Sequence, residues 1–172
     1  YEHLYSNYRE NIQRNIKKAG QFGLSINKGI AVAEVTALAK QQAREFANLP
    51  AEDFKRFESL YQLLYQKEKA TTYAVITKER QLLAAAVFFF SHRRAYYIMV
   101  GNHPNGKTLG ASHALINAFI KDHAGQDLLL DFEGSDIPSL GFFYSSFGAV
   151  EEKYSAIRLN RLPFYLKWMK KK

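Results

Sequence analysis

The chain has 172 residues, of which 47% are apolar and 15% aromatic, with only 10 Gly and 4 Pro. This composition predicts a folded domain and excludes the disordered and fibrous classes. The absence of cysteine excludes disulfides, Cys-ligated metals and a thiol nucleophile, and it favours a reducing compartment, the cytoplasm. The longest apolar run, Leu82 to Phe90, is too short for a membrane helix of about 20 residues, so we expect no transmembrane segment.

The net charge of +8 is concentrated at the two ends of the chain. Residues 1–28 carry +3 and residues 161–172 carry +5, while residues 29–160 are neutral. A basic patch built from both ends attracts phosphate-rich partners such as tRNA, a nucleotide or an anionic membrane surface, but a solvated tail explains the charge equally well. We divide the chain accordingly into a basic helix with a short extended segment (1–28), a main domain (29–160) and a basic tail (161–172).

Helical periodicity dominates the first 67 residues. Ile12 and Ile16 lie on one apolar face of a basic amphipathic pattern, which Gly20 and Gly23 end. Residues 24–27 have the character of a short extended piece. The predicted helices cover residues 5–19, 32–47 and 51–67.

From residue 72 the sequence changes to strand-forming residues joined by short polar turns, which predicts an antiparallel meander after these helices. Residues 101–107 are predicted as a loop. The nearly all-apolar segment 128–132 is typical of a central strand covered on both faces. The order of elements predicts an α+β fold, with a mixed, mostly antiparallel twisted sheet, flanking helices and one parallel crossover. The predicted strands are 72–77, 82–91, 95–100, 128–132 and 154–159, and the helices between them are 109–124 and 139–147.

The predicted loop enters its helix through small residues. A helix N-terminus carries unpaired N–H groups and about half a positive charge, so it binds anions where the backbone is accessible. Small side chains let a phosphate approach, which makes this segment a candidate pyrophosphate site, although small residues are common at helix starts without any ligand. The candidate residues are Lys107, Thr108, Leu109, Gly110, Ala111 and Ser112.

Three further side chains are candidates for acid–base chemistry. Tyr144 lies between apolar residues on a short predicted helix and is a candidate proton donor, although a tyrosine is more often a packing residue. Asp131 and Glu133 are two positions apart, so in a strand both carboxylates point to one face, and each is a candidate base or an ion-pair partner that ends the strand. No histidine pair has metal-ligand spacing and no serine has a G-x-S-x-G setting, so we expect neither a metal site nor a serine hydrolase.

Taken in order, these segments resemble the GNAT acyltransferase superfamily. In that family a strand leads into an Arg/Gln-x-x-Gly-x-Gly/Ala loop that holds the pyrophosphate of coenzyme A. Residues 107–112 are similar, with Lys107 for the Arg/Gln and Ser112 for the second small residue. A later helix of the family carries Phe-Tyr-x-x-x-Gly-Phe, whose Tyr often protonates the departing thiolate. Residues 143–149 are similar except at the last position, and Tyr144 takes the place of that Tyr.

Over nearly the whole chain, the resemblance is to the C-terminal GNAT half of the FemABX-like branch, which includes peptidoglycan aminoacyltransferases. That half begins with a basic helix like residues 8–19 and has paired helices and a strand meander. It then has a segment like Asp131-Phe-Glu-Gly134, followed by one like Phe143-x-x-x-Phe147-Gly148. The first half is missing here, which implies a preceding GNAT half as a partner. Fem enzymes place a Lys where this chain has Tyr144, which favours an acyl-CoA over an aminoacyl-tRNA.

The resemblance implies a GNAT-fold acyltransferase that moves an acetyl or other acyl group from an acyl-CoA to a small-molecule or peptide amine. The acyl-CoA would lie along splayed central strands, with the oxyanion on a backbone amide near Val100. Tyr144 would be the acid and Glu133 or Asp131 the base. Two alternatives stay open: an aminoacyl-tRNA-dependent FemABX-type transferase steered by the basic termini, and a non-catalytic GNAT-like binding domain of a larger protein.

Overall fold

A five-stranded sheet forms the centre of the computed structural model, which describes residues 1–43, 50–133, 137–155 and 157. The strands are β1 (Ser25–Lys28), β2 (Ala70–Ile76), β3 (Leu82–Ser91), β4 (Arg94–Asn102) and β5 (Leu129–Asp131). They are hydrogen-bonded in chain order, antiparallel except for the parallel pair β4 and β5. The helices are α1 (Glu2–Ser6), α2 (Glu10–Gln21), α3 (Val32–Ala43), α4 (Ala51–Tyr65), α5 (Pro104–Leu109), α6 (Ala111–His123) and α7 (Pro138–Ser145). The predicted α+β class, the meander and the parallel crossover are confirmed.

Two apolar clusters pack on the two faces of the sheet. β3 supplies both, because successive residues of a strand point to opposite faces. Phe88 belongs to the cluster with α2 and α6, and Val87 belongs to the cluster with α3 and α4; both side chains are fully buried. Phe88 stacks on Phe119 of α6 with the ring centroids 3.8 Å apart. The helices α3 and α6 are thereby fixed on opposite faces of the sheet.

The predicted helix 5–19 is two helices, α1 and α2, with a break at residues 7–9. Arg9 is extended, and its N–H donates to the carbonyl of Ser146, a tertiary contact that helical periodicity does not reveal. Tyr8 therefore precedes α2, and its ring meets Phe147 edge-on with the centroids 5.3 Å apart. Ile12 of α2 is fully buried in the core, so the basic N-terminal helix is packed into the same unit as the sheet.

The expectation that the sheet begins only after the paired helices is wrong. β1 pairs antiparallel with β2, with Ile26 opposite Val75, so the sheet begins before α3 and α4. β1 is a four-residue edge strand with mostly exposed side chains, and so short a strand carries little hydrophobic alternation. The predicted helices 32–47 and 51–67 correspond to α3 and α4; residues 44–47 lie outside the described residues.

The predicted loop 101–107 is also wrong, because its first two residues continue β4 and most of the rest belongs to α5. The Nδ1 of His103 accepts a hydrogen bond from the N–H of Asn105 at 3.2 Å, which caps α5. A proline occupies the first turn, where its missing N–H costs nothing. Gly110 ends α5 in the left-handed conformation, with φ of 74°, and separates it from α6.

β5 is the last strand of the described sheet, and its Leu129 is 48% exposed, so the prediction of a central strand over 128–132 is not met within the described residues. The predicted helix 139–147 corresponds to α7. The predicted strand 154–159 lies largely outside the described residues and stays a prediction, as does the basic tail. Within the described ranges, no helix combines the length and apolar character needed to cross a bilayer.

Candidate active site

The strands β4 and β5 run side by side only as far as Tyr96, which lies opposite Asp131. β5 ends there, whereas β4 continues to Asn102. The register of β4 against β3 slips by one residue in this stretch, which leaves Ile98 as the extra residue of a β-bulge. A bulge bends its strand and increases the local twist. Because β4 continues beyond the end of β5 and is bent by the bulge, the sheet opens between these two strands.

Past the bulge, one edge of β4 has no strand beside it among the described residues. The N–H of Asn102 donates to Oε1 of Gln42 on α3 at 2.8 Å, so it points away from β3. In an antiparallel pair, alternate residues turn both N–H and C=O away from the partner strand. Val100 has the same parity as Asn102, and it therefore presents its N–H and C=O to the open edge. A rigidly held amide of this kind is a suitable donor to an oxyanion.

Asn102 connects three elements at the end of β4. Its N–H is bonded to Gln42, and its Oδ1 accepts a hydrogen bond from Oγ of Ser112, in the first turn of α6, at 2.6 Å. α3 lies directly on this end of the strand, because a Cβ at Gly101 would lie only 2.5 Å from the backbone nitrogen of Ala39. The open end of β4 is thus held in place by α3 and α6.

The start of α6, where the sequence places the pyrophosphate, is partly covered by α2. Gly110 and Ala111 are buried, and the N–H of Gly110 donates to the carbonyl of Gly106. A Cβ at position 110 would lie 2.6 Å from the carbonyl oxygen of Asn15, so the backbone of α2 packs directly against Gly110. The hydroxyl of Ser112 is bonded to Asn102. The N–H groups of Ala111, Ser112 and His113 have no hydrogen-bond partner among the described residues, so the assignment of a diphosphate to this segment stays a prediction.

The rest of the candidate pyrophosphate segment lies on α5 rather than on a loop. Lys107 and Thr108 are exposed, and Leu109 is partly buried against the core. The helical conformation of α5 satisfies backbone groups that an extended loop would leave free. These three residues therefore offer a ligand only the exposed side chains of Lys107 and Thr108.

Tyr144 lies on α7, on the sheet face where β4 and β5 separate. Its ring stacks on Phe132 with the centroids 4.5 Å apart and meets Tyr97 edge-on at 6.4 Å. Burial raises the pKa of Tyr144, so the phenol is protonated at neutral pH. These contacts hold the ring firmly, and the hydroxyl is chemically able to donate a proton.

The two candidate carboxylates do not share a strand face, so that prediction is wrong. Asp131 ends β5, whereas Glu133 lies beyond it with a left-handed φ of 63°. Asp131 accepts hydrogen bonds from Arg94 at 3.1 Å and from the N–H of Glu133 at 2.8 Å. Arg94 also binds both carboxylate oxygens of Glu152, at 2.9 and 3.1 Å, which lowers the pKa of Glu152. Asp131 is therefore an ion-pair partner at the strand end, and Glu133 is exposed without an ion pair among the described residues.

The structure brings Tyr144, Asp131 and Glu133 together along one cleft between α6, β5 and α7. Tyr8 lines the same cleft; it is only 4% exposed, and its hydroxyl has no hydrogen-bond partner among the described residues. The candidate pyrophosphate residues do not line this cleft. Within the described ranges, no three histidine or acidic side chains converge as a metal site.

Sequence reasoning missed Gln42, Asn102 and Arg94. Gln42 and Asn102 are 60 residues apart in the chain, so no local motif marks their contact. The sequence does not predict the bulge at Ile98 either, because an apolar β-branched residue fits a regular strand equally well. For Arg94 the sequence offers only a weak indication of an ion pair. It follows a tight turn, and its strand β4 pairs with β5, which ends in Asp131.

Comparisons with known proteins agree with this architecture. The family profile described as "Acetyltransferase (GNAT) domain" matches residues 6–136, more than half of the chain. FemX is similar in structure, with a TM-score of 0.72 and 12% identity over 86% of this chain, which spans only 55% of the FemX chain. A predicted acetyltransferase with acetyl-CoA from Clostridium acetobutylicum has a TM-score of 0.60 and 11% identity, with 80% of this chain and 96% of that chain covered. No curated protein sequence matches the chain.

A third similar structure is the SpeG spermidine N-acetyltransferase of Vibrio cholerae, with a TM-score of 0.55, 19% identity, and 76% of this chain and 81% of that chain covered. At identities this low, the likenesses show the fold alone, and the profile shows the family. The predicted resemblance is confirmed, with FemX among the structural neighbours; the assignment to a C-terminal half stays a prediction. The chain belongs to the GNAT acetyltransferase domain family, whose reaction is acyl transfer to an amine.

Proposed function

We propose that this domain is an N-acyltransferase that moves an acyl group from an acyl thioester, in the first instance acetyl-CoA, to an amine. The observation that carries the proposal is the edge of β4 past Tyr96, which no described strand pairs, with Val100 facing it and Tyr144 packed beside Tyr97. An acyl donor whose arm contains amide groups is able to hydrogen-bond to such an edge in the manner of an added strand. We place the reaction in the cytoplasm, on the lack of cysteine alone.

Three groups divide the work of the reaction. The N–H of Val100 stabilises the negative charge that develops on the thioester oxygen when the amine attacks. Glu133 takes the proton that the attacking amine loses, directly or through a water. Tyr144 gives its proton to the sulfur as the C–S bond breaks. The products are an amide and a thiol, and exchange with solvent restores both side chains.

We propose a small-molecule or peptide amine as the acceptor. Two of the similar structures are described with an amine. One is a spermidine N-acetyltransferase, and the other is an aminoglycoside acetyltransferase in complex with sisomicin. A preceding GNAT half stays part of the proposal, because the chain spans little more than half of FemX.

The proposal is tested by the release of thiol from acetyl-CoA in the presence of spermidine, an aminoglycoside or a dipeptide. We expect Tyr144→Phe to lower kcat about 100-fold, the effect of losing a general acid, with little change in Tm because the ring contacts remain. The matched control is Tyr65→Phe, because Tyr65 is 52% exposed on α4, and it should keep full activity. Thiol release that is absent with every amine, or unchanged in Tyr144→Phe, would contradict the proposal.

An aminoacyl-tRNA is the second candidate donor. It is favoured by the outer face of α2, where Arg14 and Lys17 are exposed. Each phosphate contact releases counterions, so the affinity for tRNA should fall about tenfold or more between roughly 50 and 200 mM salt. A flat salt response excludes tRNA. Failure of both donors leaves the third alternative, a non-catalytic binding domain.

A further inference from the structure

The amide of Val100 lies in a part of β4 that has a strand on one side only. Among the described residues, β5 pairs with β4 as far as Tyr96, and the bulge at Ile98 interrupts the register with β3. Beyond the bulge β3 still pairs with β4, with Ala85 opposite Gly101. A strand segment that is bonded along one edge opens more easily than one inside a sheet. The position of the Val100 N–H therefore depends on what else holds the end of β4.

α3 supplies a second support for this end of β4. Leu38 of α3 is buried in the same apolar cluster as Met99. Gly101 lets the helix pack directly on the strand, because a Cβ there would lie 2.5 Å from a backbone nitrogen of α3. Gln42 lies one helical turn after Leu38, and this packing brings its half-buried side chain to Asn102. The N–H of Asn102 donates to Oε1 of Gln42 at 2.8 Å.

The bond to Gln42 is made on the same edge of β4 as the Val100 amide. Residues two apart in an antiparallel strand direct their N–H groups to the same side, so those of Val100 and Asn102 are parallel. Within the described ranges, Gln42 is the only side chain that bonds to the β4 backbone past the bulge. Asn102 is also tied to α6, because its Oδ1 accepts a hydrogen bond from Ser112 at 2.6 Å.

We infer that Gln42 is a positioning residue for acyl transfer: by bonding the N–H of Asn102 it fixes the end of β4, and with it the Val100 N–H that stabilises the oxyanion. The inference rests on the proposed function and adds to it a residue from a separate helix. Gln42 acts through the strand and not by contact with the reacting atoms. Loss of an oxyanion donor costs about 100- to 1000-fold in kcat, and a displacement of about 1 Å costs up to about 100-fold. A looser strand end should therefore lower kcat more than it affects binding.

The test compares Gln42→Met with the unchanged full chain in thiol release from acetyl-CoA, using an amine that the unchanged chain accepts. Met is unbranched and of similar length, but it offers no oxygen to the Asn102 amide. We expect kcat to fall about tenfold, and KM for acetyl-CoA and for the amine to change less than about threefold. The matched control is Gln41→Met, which should keep its full kcat, because Gln41 is the exposed neighbour on α3.

Two further measurements separate positioning from packing. Gln42→Glu keeps an oxygen of the same reach, so its kcat should exceed that of Gln42→Met by about threefold or more. Amide hydrogen exchange follows the strand end without any substrate. The amides of Gly101 and Asn102 should exchange about tenfold faster in Gln42→Met than in the unchanged chain, and at the unchanged rate in Gln41→Met.

The outcomes distinguish the inference from the proposed function. An unchanged kcat in Gln42→Met, a rise of KM in place of the fall in kcat, or a fall without faster exchange at the end of β4 would overturn the inference and leave the proposed function intact. The same holds if Gln42→Glu is as slow as Gln42→Met, or if Gln41→Met is equally slow. Absence of thiol release from the unchanged chain would overturn the proposed function and the inference with it.

Discussion

The start of α6 and the far end of β4, which the sequence joins into one donor site, differ in what occupies their hydrogen-bonding groups. At the start of α6, the Gly110 amide and the Ser112 hydroxyl are bonded within the protein, and α2 lies over them. At the far end of β4, the edge past Tyr96 has no strand beside it among the described residues. A helix start is an anion site only where the fold leaves it uncovered.

The small residues that mark a phosphate loop here serve the close packing of backbones. A Cβ at Gly106 would collide with the carbonyl oxygen of Leu83, and one at Gly110 would collide with that of Asn15. Glycine at these positions lets α5 and α6 approach β3 and α2. The same small residues are therefore compatible with two structural roles, binding of an anion or close packing against a neighbouring main chain.

The largest effect that we predict tests whether the start of α6 is closed by packing. Gly110→Ala should lower the free energy of unfolding by about 3 kcal/mol, because a left-handed residue with a Cβ costs about 1–2 kcal/mol and the clash with Asn15 adds as much again. The matched control is Gly125→Ala, since Gly125 has φ of 85° with nothing within 4 Å of a Cβ. Urea unfolding measures both, and equal losses would show that α2 does not close the turn.

A smaller contrast tests the hydroxyl of Tyr8, just before α2, for which the described part of the chain offers no hydrogen-bond partner. Tyr8 and Tyr73 are both 4% exposed, but among the described residues only Tyr73 has a hydrogen-bond partner, since it donates to Asp122 at 2.7 Å. Tyr73→Phe should lose about 1.5–3 kcal/mol of unfolding free energy, whereas Tyr8→Phe should lose none and should gain slightly, because it removes a buried hydroxyl without a partner. Urea midpoints measure the difference, and a loss in Tyr8→Phe as large as in Tyr73→Phe would show that its hydroxyl is bonded.

The smallest effect concerns His113, in the first turn of α6. Its Nδ1 is buried without a partner among the described residues, its ring packs edge-on against Phe143 at 5.1 Å, and burial lowers its pKa. The unfolded chain therefore binds the proton more readily, so the contribution of His113 to stability is complete above pH about 6.5 and declines as the pH falls.

Measurements of Tm between pH about 7.5 and 5 test whether stability declines as the pH falls. The decline in acid should be shallower in His113→Phe than in the unchanged chain. Because the ring is only partly buried, we expect well under about 1.4 kcal/mol per pH unit. An equal slope in the two proteins would show that the first turn of α6 opens to water in acid.

Much of the fold is predictable from local patterns. The strand Leu82–Ser91 has its predicted bounds, because a long apolar run between polar turns leaves little choice. The paired helices and the parallel crossover follow from periodicity and element order in the same way. The failures include residues 7–9, β1 and α5, where a tertiary contact, a short edge strand and a side-chain cap decide the structure, and β5, which is not central in the described sheet.

The candidate site is less predictable than the fold. The sequence identifies Tyr144, Asp131 and Glu133, and the structure places all three along one cleft. It does not reveal that Arg94 engages Asp131, or that Gln42 ends the open edge of β4. Each of these contacts joins segments that are far apart in the chain, so no local spacing specifies it.

The amino-acid sequence by itself determined the class of fold, the family and the residue types available for acyl transfer, because these depend on periodicity and short motifs. Only the tertiary structure decided which backbone groups are free to bind a ligand. The reason is that an N–H at a helix start or a strand edge is specified by its own residue, whereas its accessibility depends on what packs beside it, here α2 for Gly110 and no described strand for Val100.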